Sequence, residues 1–109
     1  MSALYAMNYV GSSGAGGGAI YVGNGKILGI DVGNLRYSGS YTQQGGRLKG
    51  NVDLYAPTGG TLVTGTQVPP GTKWSLVFDW PTTFADGSPQ PITLQGQAVH
   101  VVFDKIGDI

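Results

Sequence analysis

The sequence predicts an all-β domain of about eight antiparallel strands, arranged as a barrel. Composition is the first observation: 20 glycines and 6 prolines in 109 residues, with no glutamate, favour turns over helices. Alternation is the second, because apolar and polar residues alternate in several short segments and none shows the period of an amphipathic helix. The third is the presence of Gly29, Gly39, Gly50 and Gly96 inside strand patterns. Such glycines permit the bends that a small closed barrel requires, although a sandwich fits the same alternation.

Five strands are predicted in the first half of the chain. The second and third flank Asn24-Gly25, the dipeptide most typical of a type I′ hairpin turn, because both turn positions need a positive φ. The fourth and fifth flank Gln43-Gln44-Gly45-Gly46, which is predicted as a hairpin tip. In the fifth, Leu48 and Val52 alternate with polar residues, as in a half-buried strand. The five segments are 3–10, 18–23, 26–31, 36–42 and 47–56.

Three more strands are predicted in the second half, at 72–80, 92–96 and 98–106. In the first of these, Trp74, Leu76 and Phe78 alternate with Lys73, Ser75, Val77 and Asp79 and are predicted to face the barrel interior. There they would belong to the core or line a ligand pocket. The segments between these strands are predicted as connections, with a short strand within 57–71 and a loop at 81–91. Residues 1–109 form one domain.

The charge balance argues against several classes of partner. Six basic and six acidic residues cancel, and only 11% of the chain is charged, against about 25% in an average domain. No field of one sign is available to attract nucleic acid, and no apolar run is long enough for a membrane helix. With no signal peptide and no cysteine, a cytoplasmic location is expected. A surface with so little charge also favours self-association, for example as a homodimer.

A glycine-rich stretch near the N-terminus contains Gly14-x-Gly16-x-x-Ala19, close to a dinucleotide-binding fingerprint, and is followed by Asp31. That fingerprint binds phosphate because its glycines lead into a helix. Here they lead into a β-type segment broken by Asn24-Gly25, so nucleotide binding is not predicted. Residues 11–18 are instead predicted to form a flexible hairpin loop, and its Ser12-Ser13 is a candidate recognition tip.

No catalytic or metal-binding set is predicted. His100 is the only histidine, and its alternation with Val99 and Val101 predicts that it faces solvent. The aspartates lie at strand ends, where turn capping is the default role, and their spacing is not that of metal ligands. The sequence therefore predicts a protein that is not an enzyme and has no cofactor.

The stretch from Gly16 to Asp31, followed by Tyr37-Ser38-Gly39-Ser40-Tyr41, resembles the N-terminal half of the GrlR-like proteins. That family is named for a negative regulator of type III secretion genes in enteric bacteria. The shared pattern is a Gly-rich turn, a hairpin with Asn-Gly at its tip, a strand ending in Asp, and Tyr-x-Gly, over about residues 4–54. The resemblance implies an eight-stranded calycin-like (lipocalin-like) barrel, a dimer, and regulation through binding of a transcriptional activator protein.

The chain departs from that family at one functional position. The family's regulator carries an acidic run, Glu-Asp-Glu-Asp, after the Tyr-x-Gly strand, whereas this chain has the uncharged Thr42-Gln43-Gln44-Gly45-Gly46. Two hypotheses follow. In the first, the protein binds a protein partner through the Gln43–Gly46 tip or Ser12-Ser13. In the second, it carries a small apolar molecule among Trp74, Leu76 and Phe78.

Overall fold

The computed structural model describes residues 2–94 and 96–109 and consists of strands joined by turns and loops. Short turns separate most of the strands, and the longest connection, residues 82–89, follows the eighth strand. The strands in these residues are β1 (Ser2–Gly11), β2 (Gly14–Gly23), β3 (Lys26–Asp31), β4 (Arg36–Gln44), β5 (Arg47–Ala56), β6 (Gly60–Thr61), β7 (Gln67–Val68), β8 (Thr72–Pro81), β9 (Gln90–Leu94) and β10 (Gln97–Asp108).

Eight of the strands form one antiparallel sheet, in the order β8-β5-β4-β3-β2-β1-β10-β9. Because β1 pairs with β10 as well as with β2, the strands keep chain order around the sheet and form an up-and-down meander. The sheet is nearly closed into a barrel and is consistent with a calycin-like barrel. The predicted all-β antiparallel barrel is therefore confirmed, and β6 and β7 form a separate small hairpin.

Backbone pairing is missing at one place around the barrel. Among residues 2–94 and 96–109, no backbone ladder joins β8 to β9, the two edges of the sheet. The indole N–H of Trp80 on β8 instead donates to the carbonyl oxygen of Pro91 on β9 at 3.3 Å. We call this junction between β8 and β9 the seam.

The strand directions give the barrel two different ends. One carries the β1–β2, β3–β4 and β9–β10 turns together with residues 57–71, which contain β6 and β7 and which we call the strap. The strap reaches from the end of β5 to the β1–β2 turn, where the N–H of Ser13 donates to the carbonyl oxygen of Val63 at 2.7 Å. We call this the strap end; the other, the loop end, carries the β2–β3 and β4–β5 turns and the loop 82–89.

An aromatic cluster closes the loop end. Phe84, from the loop 82–89, is only 1% exposed. Its ring centroid lies 5.1 Å from that of Tyr5, 5.9 Å from that of Trp80 and 5.3 Å from that of Phe103. The interior is therefore packed solid near this end. The buried hydrophobic core as a whole comprises Ala3, Tyr5, Met7, Ile20, Val22, Ile27, Leu48, Val52, Leu54, Phe78, Phe84, Leu94, Val99, Val101 and Phe103.

Most predicted strands are confirmed to within about two residues at each end, and Asn24 and Gly25 have the positive φ values, 52° and 77°, that a type I′ turn requires. The prediction for residues 11–18 was wrong. Gly14–Gly23 is one continuous strand paired with β1, and only Ser12 and Ser13 form the turn. The predicted position of Gly96 inside a strand was also wrong, because Gly96 lies in the β9–β10 turn with a φ of 80°.

Candidate functional site

A cavity of about 220 Å³ lies inside the barrel, between the strap and the aromatic cluster. Strand residues form its walls, the strap covers one side, and the side chains of Trp80 and Phe103 reach it from the aromatic cluster. Its lining is mostly aliphatic and aromatic. The apolar side chains in the lining are Met7, Ile20, Leu35, Val52, Leu54, Ala56, Leu62, Val63, Val68, Leu76, Phe78, Trp80, Ile92, Leu94, Val99, Val101 and Phe103.

The cavity has one polar region, built around Asp31 at the end of β3. This carboxylate is 7% exposed. Its Oδ2 accepts hydrogen bonds from the hydroxyls of Tyr9, at 2.6 Å, and Tyr37, at 2.8 Å. Its Oδ1 accepts from the backbone N–H groups of Gly33, at 2.8 Å, and Leu35, at 3.0 Å. Four donors match the acceptor capacity of an ionised carboxylate.

Neighbouring strands bring these three side chains together. Tyr9 lies on β1, Asp31 ends β3 and Tyr37 lies on β4. The hydrogen bonds from the N–H groups of Gly33 and Leu35 also close the β3–β4 turn. Asp31 therefore stabilises the turn as well as binding the two tyrosines. The turn-capping role predicted for the aspartates holds here, but the sequence did not predict the two tyrosine contacts.

The glycine-rich strand makes room for this cluster. A Cβ atom at Gly16 would lie 2.6 Å from the Tyr9 ring, and one at Gly18 would collide with the backbone of Ile30 and Asp31. Gly16 pairs with Tyr9, and Gly18 pairs with Asp31. The glycines are therefore needed for close packing across β1, β2 and β3. They enter a strand rather than a helix, so the stretch lacks the context of a dinucleotide-binding loop.

Burial and the Asp31 charge hold both tyrosine hydroxyls in the protonated form. The pKa of Tyr37 is raised well above its ordinary value of 10.0, first by burial and then by the charge of Asp31. The pKa of Tyr9 is also raised, by burial and by its hydrogen bond to Asp31. Both hydroxyls therefore remain donors to the carboxylate throughout the neutral pH range.

We expect these raised pKa values to make the fold sensitive to alkali. In the unfolded chain the tyrosines ionise near pH 10.0, whereas in the folded barrel Tyr9 and Tyr37 stay neutral to higher pH. Their contribution to stability is thus complete below the unfolded pKa and is lost as the pH rises above it. Urea unfolding between about pH 9 and 12 should give a shallower loss for Tyr37→Phe than for the wild type. Tyr55→Phe is the control, and equal slopes for the two variants would contradict the expectation.

The structure places the predicted pocket residues on one face of β8 but gives them different surroundings. Leu76 and Phe78 line the cavity. Trp74 packs against the core cluster without forming part of the cavity wall. Its indole N–H is buried, with no hydrogen-bond acceptor among the described residues.

The predicted contact loops lie at opposite ends of the barrel, so they do not form one surface. Ser12 and Ser13 are at the strap end, where the hydroxyl of Ser12 donates to Gln97 Oε1 at 3.0 Å and the N–H of Ser13 donates to the strap. Gln43 and Gln44 end β4 at the loop end. Gly45 and Gly46 form the tip between β4 and β5, with φ values of 60° and 77°.

The remaining polar residues form no second site in the described parts of the chain. His100 is exposed on β10, between the buried Val99 and Val101, as predicted. In residues 2–94 and 96–109, no three side chains of the metal-binding types come together. None of these residues belongs to a helix long and apolar enough to cross a membrane.

The sequence matches no model of a known protein family, and a search of curated proteins finds no significant match.

Proposed function

We propose that this protein binds a small, largely apolar molecule inside its barrel. The observation that supports the proposal is the cavity of about 220 Å³ with mostly hydrocarbon walls. Ligand sites are typically concave, mainly apolar and equipped with a few converging polar groups. The cluster of Tyr9, Asp31 and Tyr37 supplies such groups at one side. Binding, rather than catalysis, is the activity that we infer.

The volume limits the size of the ligand. An apolar cavity of roughly 150 Å³ holds a benzene molecule. A cavity of about 220 Å³ therefore suits a single ring, two fused rings or a chain of about eight carbons. Burying eight methylene groups yields roughly 6 kcal/mol of transfer free energy. This corresponds to a dissociation constant on the order of 10–100 µM for a simple alcohol of that length.

The strap end provides the route for entry. Gly59, Gly60 and the neighbouring strap residues form that side of the cavity. The strap is held at its far point by the Ser13–Val63 hydrogen bond, and at its base by the N–H of Gly71, which donates to the carbonyl oxygen of Ala56 at 2.9 Å. Displacing a segment with so few backbone bonds costs less than separating two strands of the sheet.

Filling the cavity should abolish binding. We expect Leu76→Trp to reduce octanol affinity by about tenfold or more, because the larger ring occupies the space that the ligand needs. Isothermal titration calorimetry measures the effect. Val77→Trp is the matched control: it is the next residue along β8, its side chain points outward and it is 83% exposed. Undiminished octanol affinity in a folded Leu76→Trp protein, or no binding by the wild type, would overturn the proposed function.

Protein binding is the second candidate, and an exposed apolar strip favours it. Leu28 and Ile30 project from the outer face of β3, with exposures of 62% and 47%. They border a shallow outer groove that also includes Arg36 and Lys73. In this second proposal the partner is a regulatory protein, as the GrlR-like resemblance implies, or a second copy of the chain. The cytoplasmic location and the dimer stay predictions.

This second function has its own test. Leu28→Thr combined with Ile30→Thr places β-branched residues at both exposed strand positions and should leave the fold intact. We expect the wild type to capture a partner protein from the host lysate and the Leu28→Thr/Ile30→Thr variant to fail to capture it. A second variant, Gln43→Lys combined with Gln44→Lys, should still capture the same protein. The reverse pattern would place the contact at the β4–β5 tip.

A further inference from the structure

The free hydrogen-bonding capacity of the cavity around Asp31 is one-sided. Its polar side chains are Tyr9, Asp31, Tyr37 and Thr61, together with the N–H of Trp80. The Trp80 N–H is already donated to Pro91. Among the described residues that line the cavity there is no lysine, arginine or histidine. The wall therefore has negative charge with no cationic side chain to balance it.

The hydroxyl groups show the same bias. Tyr9 and Tyr37 both direct their O–H groups at Asp31 Oδ2, so neither proton is available to a ligand. Each phenol oxygen retains acceptor capacity. Since both hydroxyls bond one carboxylate oxygen, the two phenol oxygens lie close together and next to the Asp31 charge. This corner of the cavity can accept hydrogen bonds but not donate them.

We propose that the ligand is a small amphipathic amine, whose protonated ammonium group lies at the Tyr9–Tyr37 pair and whose hydrocarbon lies along Leu76 and Phe78. This inference rests on the proposed function and specifies its ligand class. An ammonium group brings only donors and one positive charge, which matches the acceptors and charge of the corner. Donation to the phenol oxygens also strengthens their bonds to Asp31, because hydrogen bonds in a chain polarise one another.

A fatty-acid anion is the wrong ligand for the same reasons. Its carboxylate would approach Asp31 with like charge, away from bulk water, and would find no free donor at the tyrosine pair. Burial of a charge without a partner is strongly unfavourable. The cavity should therefore discriminate between head groups on one hydrocarbon chain more sharply than between chain lengths.

Three ligands with the same eight-carbon chain test the inference: octylamine, octanol and octanoate. Isothermal titration calorimetry of the wild-type protein at neutral pH should give an affinity for octylamine about tenfold or more above that for octanol, with octanoate the weakest. Asp31→Asn should bring the octylamine and octanol affinities together, because it removes the charge but preserves the shape. In NMR spectra, octylamine should shift the ring resonances of Tyr9 and Tyr37, with Tyr55 as the internal control.

Each outcome has a definite meaning. If octanol binds and octanoate binds as well as octylamine, the head-group inference is wrong and the proposed function stands. If none of the three binds, both are wrong. If octylamine shifts Tyr55 but not Tyr9 or Tyr37, its site lies elsewhere and the inference is again overturned. The comparison of three ligands on the wild type decides the matter even if Asp31→Asn does not fold.

Discussion

Replacing Asp31 by alanine is expected to lower the free energy of unfolding by about 3–5 kcal/mol, because it leaves several buried donors without an acceptor. The carboxylate accepts hydrogen bonds from the hydroxyls of Tyr9 and Tyr37 and from the N–H groups of Gly33 and Leu35. Each donor left unpaired in a buried site costs roughly 1–3 kcal/mol. Water entering the cavity will satisfy part of this loss, which is why the expected total is below the simple sum. Urea unfolding at neutral pH measures it.

Asp53→Ala is the matched control for that measurement. Asp53 also accepts a side-chain hydrogen bond, from the hydroxyl of Ser75 at 2.5 Å, but it lies exposed on the outer face of β5. A surface substitution of this kind usually changes stability by no more than about 0.5 kcal/mol. If Asp31→Ala were as mild as Asp53→Ala, the hydrogen bonds of the cluster would contribute little to the stability of the fold.

Phe84→Ala is the second substitution with a large expected effect, at about 3–5 kcal/mol of destabilisation. The ring contacts Tyr5, Trp80 and Phe103, so its removal leaves a cavity beside three aromatic side chains. The loop is held in place on both sides of Phe84. The N–H of Thr82 donates to the carbonyl oxygen of Gly46 at 3.0 Å, and Asp86 forms a β-bridge with Asp104.

The same substitution should alter ligand preference. Trp80 and Phe103 lie between Phe84 and the cavity, and both contact its ring, so removal of that ring gives their side chains room to turn toward the loop end and lengthen the cavity. We expect the affinity for decanol relative to octanol to rise by about tenfold in Phe84→Ala, which corresponds to two further buried methylene groups. Phe84→Leu keeps most of the volume and should show little change. A ratio in Phe84→Ala equal to that of the wild type would mean that the new space is sealed from the cavity.

Alternation and turn chemistry were sufficient to predict most of the fold. The boundaries of β5 and the Asn24-Gly25 turn follow directly from the residues, because a period of two and a required positive φ are local properties. The outward position of His100 follows in the same way. These features need no knowledge of which strands are neighbours.

The glycine-rich strand and the Asp31 cluster could not be predicted in that way. Glycine has low strand propensity, so Gly14–Gly18 looked like a loop. The neighbouring strands favour a strand there, because the Tyr9 ring on β1 lies over Gly16 and the backbone of Asp31 on β3 approaches Gly18. Both contacts depend on pairing across β1, β2 and β3.

Under the proposed function, the seam between β8 and β9 affects which property of a ligand the barrel discriminates most strictly. Within residues 2–94 and 96–109, seven strand–strand junctions are backbone ladders that fix the circumference, whereas the junction of β8 and β9 is bridged by the Trp80–Pro91 bond. Widening the barrel at the seam would break one neutral hydrogen bond, a net cost of about 1 kcal/mol, and would disturb the packing of Trp80 against Phe103 on β10. The same widening at any other junction would break a whole backbone ladder. Under the proposed function, we therefore expect the barrel to adapt to the girth of a guest at the seam first. We expect the polarity of the guest to be selected more strictly, because the acceptor corner is fixed on β1, β3 and β4, away from the seam.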